Sequence, residues 1–138
     1  MSAYTHAEDW CLPVGGILYQ SIRPLSWEVG AQGSGLIVTV PAGTVFDVSI
    51  PQPKPRPDEW RHLPLWAIRQ VGTKLLNRLF SPHDPHYLKA AALHDVMLLR
   101  GWARTTAGAE FHEALKADKV ARWRRLAMWL AVSLFKYR

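Results

Sequence analysis

The sequence is short of several things, and each shortage narrows what the protein can be. Among 138 residues there is one cysteine, Cys11. No disulfide within the chain is possible, and no zinc site can be assembled from paired thiolates. The strongly apolar stretch "LAMWLAVSLF" near the C-terminus is about half the roughly 20 residues that a helix needs to cross a bilayer, so it reads as a buried or interfacial helix and no transmembrane segment is expected. The start, "MSAYTHAEDW", lacks the basic opening and apolar stretch of a secretory signal. The protein is expected to remain where it is made. Internal repeats and low-complexity tails are also missing.

What is present suits a folded chain. A hydrophobic fraction of 49% with 20% charged residues is ordinary for a globular protein and too apolar for a disordered one. A chain of this length has room for one domain with a core of its own. The charge is uneven: residues 1–60 carry 3 Lys and Arg against 6 Asp and Glu, whereas residues 61–138 carry 14 against 5. The C-terminal part is therefore a basic body. Such a surface attracts nucleic acid, anionic lipid or an acidic protein without choosing among them. No nucleic-acid motif accompanies Lys116, Lys119, Arg122, Arg124 and Arg125, and a solvated helix face accounts for them, so no specific nucleic-acid partner is expected.

Along the chain the hydrophobic period changes once. "GILYQSI", "LSWEV" and "GLIVTVP" are short, rich in β-branched and aromatic residues and separated by turn chemistry, which predicts an antiparallel β meander within about 10–50. Four prolines in residues 51–57 predict an extended connection, because proline fixes φ and removes amide donors. From about residue 60 the period is helical. Leu65, Ile68, Leu75, Leu76 and Leu79 share one face of a first helix, and a second runs from about Pro85 to Arg100 with Gly101 as its cap. "AGAEFHEALKAD", capped by Thr105 or Thr106, and "KVARWRRLAMWLAVSLFKYR" supply two more. The expected architecture is a single α+β domain over 1–138, a small N-terminal antiparallel meander followed by roughly four packed helices.

The candidate site begins with the His-Asp doublet in "YLKAAALHDVMLLRG". Neighbours on a helix point about 100° apart. His94 lies with Tyr87, Ala90 and Met97, and Asp95 with Leu88, Ala92 and Leu99, so both project from apolar faces. A buried polar group needs partners from elsewhere. His112, sharing a face with Gly108, Phe111 and Leu115, is one candidate; Glu110 and Glu113 beside it are expected to reach solvent. Asp47, in "TVFDVSIP", is a second carboxylate where the β and α parts meet. Asp47, His94, Asp95 and His112 would suffice for a hydroxyl network, an acid/base pair or, through Asp47, His94 and His112, a divalent metal. The plainer reading is a satisfied structural network without a cofactor.

The last helix carries more apolar residues than one core-facing stripe can use. Val120, Trp123, Ala127, Leu130 and Leu134 are expected in the core. Met128, Trp129, Val132 and Phe135 then point elsewhere, which makes Trp129 and Phe135 candidates for binding a partner.

The ordered pair "FDVSIP" and, some forty residues later, "LKAAALHD" resembles a family of small phage and prophage proteins known as a domain of unknown function, DUF1353. Its members show an Asp-x-Ala-Ser-Ile/Val-Pro stretch, an Ala-rich helix ending in His-Asp, a helix with Ala-Asp near its start and an aliphatic C-terminal helix. Asp47, Ser49 and Pro51 match the first motif, His94 and Asp95 the second, over about Pro41 to Phe135. The first motif is a residue shorter here, and Gly108 stands where the family tends to have Asp. The resemblance implies a phage setting and no known activity. The expected function is that of a non-catalytic accessory or structural protein, a virion or tail component, made in the host cytoplasm and acting on phage structural proteins or on itself. The alternative is a small metal-dependent hydrolase of cell wall or nucleotide, centred on the Asp/His-Asp/His cluster. His-Asp phosphohydrolases, for which His62 and Asp118 would be further ligands, are entirely helical and fit the β-rich first third poorly.

Overall fold

A computed structural model describes Tyr4, residues 9–48, Pro64, Ala67, Ile68, Gln70, Val71, Lys74 and residues 84–134. Five strands come first: β1 (Cys11–Gly15), β2 (Leu18–Ser21), β3 (Leu25–Glu28), β4 (Ile37–Val40) and β5 (Val45–Asp47). Every pairing is antiparallel, but they do not form one meander. β1, β2 and β5 make a three-stranded sheet in that order, and β3 pairs with β4 in a separate hairpin.

Ser21, at the end of β2, holds this arrangement. Its buried hydroxyl donates to the Pro41 carbonyl (2.6 Å) and accepts the Thr44 amide (3.0 Å), while its own amide donates to Thr44 (2.9 Å). The chain returning from β4 is thereby tied beside β2, and β5 follows as its second neighbour. Between them Gly43 adopts a φ of 84°, which a residue with a Cβ adopts only at a cost. β1 falls in a stretch with no strand pattern because it is an edge: Pro13 needs no amide partner there, and the pairing is bulged between Pro13 and Gly15.

Within the hairpin the alternation is regular. Leu25 opposite Val40 and Trp27 opposite Val38 are buried, while Ser26 and Thr39 share a hydrogen bond of 3.1 Å on the outer side. These inward residues meet α1 (Pro85–Leu99), which packs on β4 and β5 and on α2 (Arg104–Ala117). α3 (Arg122–Leu134) packs in turn on α2. As the all-round apolar pattern requires, α1 is central; Tyr87, Leu88, Ala90, Leu93, Val96 and Met97 are all buried.

The caps of α1 follow from its sequence. The Asp84 side chain accepts the His86 amide (3.0 Å) and Pro85 occupies the first turn, where its missing N–H costs nothing. At the other end Gly101, φ 81°, donates to Leu98 and Trp102 donates to Met97, the paired bonds of a Schellman motif. α2 ends in the same way, with Val120 donating to Leu115 and Lys119 to Lys116. Here the left-handed position belongs to Lys119, φ 60°. α2 starts at Arg104 after Ala103, which makes no side-chain cap. Thr105 and Thr106 are therefore inside its first turn rather than ahead of it.

Three complete helices stand among the described residues, against roughly four expected. Of the first expected helix, Pro64, Ala67, Ile68, Gln70, Val71 and Lys74 are helical, and Ile68, placed on its apolar face, is 70% exposed. Leu65, Leu75, Leu76 and Leu79 and the proline-rich connection at 51–57 lie outside the described residues.

Candidate functional site

The His-Asp doublet is where the pattern places it, a little over one turn before the end of α1. His94 is buried, with its ring edge-on to Phe111 of α2 at 5.7 Å between centroids. Its Nδ1 is 3.8 Å from Oδ1 of Asp95, too long for a hydrogen bond, and its Nε2 has no hydrogen-bond partner among the described residues. His112 is a quarter exposed and turns its Nδ1 toward its own neighbour Glu113 (3.5 Å). Asp47 is exposed on β5, opposite Leu18. Among the described residues no three His, Cys, Asp or Glu side chains are grouped to hold a metal ion, so Asp47, His94, Asp95 and His112 do not form a ligand set. Apart from its neighbour Asp95, His94 meets the aromatic ring of Phe111.

The acid with a buried partner is Glu110. Its Oε2 accepts the indole N–H of Trp27 (2.7 Å) and its Oε1 accepts the amide of Gly30 (3.1 Å). Trp27 is fully buried and Glu110 nearly so, which overturns the expectation that Glu110 reaches solvent. A signal for this exists in the sequence. Ala107, Glu110, Phe111 and Ala114 are spaced as one inward stripe, and all four are buried. A buried indole N–H also requires an acceptor.

A second polar cluster lies where Tyr4 meets the helices. Tyr4 bridges to Trp27, with ring centroids 4.7 Å apart. Lys89 Nζ sits 4.9 Å from the centre of the Tyr4 ring and 3.8 Å from Oδ1 of Asp118. Burial pushes the Tyr4 hydroxyl well above its ordinary pKa, and the Asp118 charge adds to this. Burial also raises Asp118, opposed by Lys89 and His86, and raises the Cys11 thiol, opposed by Lys89. Each of the three shifts favours the neutral form. A thiolate or phenolate nucleophile needs the opposite. Chemically this is a clamp, in which one cation serves both a ring and a carboxylate.

The expected orientation of α3 is corrected as well. Val120 and Ala127 pack against the core as expected, joined by Met128 and Val132, but Trp123 and Leu130 do not. With Leu126 they form an outward stripe at spacings of three and four, exposed by 55%, 47% and 42% for Trp123, Leu130 and Leu126 respectively. Gly108 is the cause. A Cβ on it would lie 2.9 Å from Oγ of Ser133 and 3.7 Å from Nε1 of Trp129. Trp129 and Ser133, one turn apart, sit on this glycine and rotate the Trp123–Leu130 row away. Trp129 is consequently half-buried, and its indole is already in contact with α2. Phe135 and the Leu134 side chain lie outside the described residues.

Sheet, hairpin and helices define an α+β protein in which no helix among the described residues is long and apolar enough to cross a membrane. Residues 73–132 match the model of a protein family of unknown function, DUF1353. This is the family that the motifs resemble. The match takes in the His-Asp doublet, α1, α2 and most of α3, and it begins after Asp47, Ser49 and Pro51. No curated protein and no solved structure matches the chain.

Proposed function

We propose that this is a non-catalytic phage or phage-derived accessory protein, a component of the virion or tail, that works through protein contacts. The observation that carries the reading is the outward stripe Trp123, Leu126 and Leu130 on α3, since a contiguous apolar face rimmed by charge is the usual mark of an interaction surface. The phage setting comes from the family resemblance. Further support comes from the candidate acid and base residues: His94 faces Phe111, and Asp47 is exposed on a strand.

The test has two arms. Particles from a phage carrying the gene are purified and their proteins identified by mass spectrometry; the chain is expected among them, and its loss or a Leu130→Glu substitution is expected to lower the yield of complete particles. Particles that form normally without the chain refute the reading. In the second arm, purified protein is assayed for bound zinc and manganese and for hydrolysis of peptidoglycan and nucleotides. About one metal ion per chain, with activity abolished by His94→Ala, would establish the hydrolase alternative instead.

A further inference from the structure

Tyr4 covers an edge of the β3–β4 hairpin. Trp27 pairs with Val38 of β4 on one side and with Tyr4 on the other. An uncovered strand edge presents its amides and carbonyls to any chain that can add a strand, so a residue placed there keeps the edge closed. The same side chain closes over the hairpin core. Its ring meets the fully buried Trp27 at 4.7 Å between centroids, and Lys89 Nζ of α1 stands 4.9 Å from the ring centre. Through Lys89 the cluster reaches Asp118, the C-cap of α2, at 3.8 Å. Strand β3 and both helices thus converge on one tyrosine.

This closed arrangement leaves two polar atoms dehydrated. Tyr4 Oη and Asp118 Oδ2 are buried without a hydrogen-bond partner among the described residues, although Asp118 is near enough for its charge to act on the hydroxyl. Unpaired buried polar atoms are unfavourable, and lifting Tyr4 away lets water reach them. Closure therefore sets ring packing and the cation–π contact against two unsatisfied groups. The ring contacts are the same in acid and at neutral pH; the polar cost is not. A carboxylate costs more to bury than a carboxylic acid, so closure weakens when Asp118 loses its proton. Lys89 and His86, both on α1, face Asp118 and favour its charged form, but burial has the larger influence. Lys89 also faces the Cys11 thiol of β1, and His86 is engaged with Asp84 at 2.8 Å.

We propose that Tyr4 is a proton-controlled strap, closed over Trp27 and the outer edge of β3 while Asp118 is protonated and released from both when Asp118 ionises. The closed state holds the Asp118 proton more tightly than the open one. The contribution of that proton to closure is complete below the ordinary carboxyl value and is lost as pH rises through the higher value of the closed state. One proton changes the ratio of open to closed by up to about tenfold per pH unit. The Tyr4 hydroxyl, whose pKa burial raises, acts in the same direction at alkaline pH. Release uncovers Trp27 and the β3 edge together.

Nuclear magnetic resonance of the tyrosine rings in the full chain tests this, because a ring packed on an indole carries a ring-current shift that it loses on release. The Tyr4 signals are identified by their absence from Tyr4→Phe. Between about pH 4 and pH 8 they are expected to move toward the positions of a free tyrosine, while circular dichroism shows that the fold is kept. In Asp118→Asn, which is uncharged throughout, they should stay at the closed position; Asp118→Ser takes its place if that variant does not fold. Tyr4 signals that hold one position in the wild type across the range overturn the strap. A transition that persists in Asp118→Asn assigns the proton to another group and overturns the role of Asp118. Signals that move toward the closed position as pH rises show that the hydroxyl donates to the Asp118 carboxylate, and they overturn the proposal by reversing its sign.

Discussion

Replacing Glu110 by alanine tests how the hairpin is fastened to the helices. The carboxylate accepts from Trp27 at 2.7 Å and from Gly30 at 3.1 Å, adding a direct polar link to the packing of α1 on both β4 and α2. The two donors fare differently when it is lost. The Trp27 side chain is fully buried, so its indole N–H is left unpaired in an apolar site, at roughly 1–3 kcal/mol. Gly30 is exposed, and water can take over its amide, leaving a net loss of about 0.5–1 kcal/mol. Together these amount to roughly 1.5–4 kcal/mol, a large share of the 5–15 kcal/mol typical of a domain. For 138 residues that is a fall in Tm of roughly 10 °C. Glu110→Gln keeps one acceptor and should lie between the two. The measurement is thermal and urea unfolding, with hydrogen exchange at the Trp27 indole as a local probe. A double-mutant cycle with Trp27→Phe should show a coupling of about 1.5–3 kcal/mol. If Glu110→Ala stays within about 0.5 kcal/mol of the wild type and the indole proton remains protected, something else accepts that N–H and the argument fails.

Two further outcomes follow from the polar groups. His94→Leu removes a buried imidazole whose Nε2 has no partner among the described residues; stability should change by less than about 1.5 kcal/mol or rise, and a larger loss in urea unfolding would reveal a partner for that nitrogen. Asp118 has a folded pKa above its ordinary 3.8, so the native state holds its proton more tightly than the unfolded chain does. Its contribution is complete below that value and declines as pH rises through the higher folded one. The stability of the wild type relative to Asp118→Asn should thus fall between acid and neutral pH; a difference that grows with pH would mean that the Lys89 attraction outweighs burial.

How far the sequence determined these features depends on how local their causes are. The inward residues of β3 and β4, the central place of α1 and the Gly101 cap are written in periods of two and 3.6 and in the φ that glycine permits, all properties of neighbouring residues. The doublet His94–Asp95 is equally legible as a position on α1. Its surroundings are not, because the ring that meets His94 comes from Phe111 on another helix. The same limit applies to β2, whose second neighbour is β5, from the far side of the hairpin, with Ser21 binding the returning chain at Pro41 and Thr44. It applies again to α3, where two apolar rows compete and Gly108 admits Trp129 and Ser133 in preference to Trp123 and Leu130. Glu110 lies between these cases. Its place in the inward stripe can be read from spacing alone, but that a carboxylate can be buried there follows from the Trp27 indole and Gly30 amide, which only the folded chain brings within hydrogen-bonding reach.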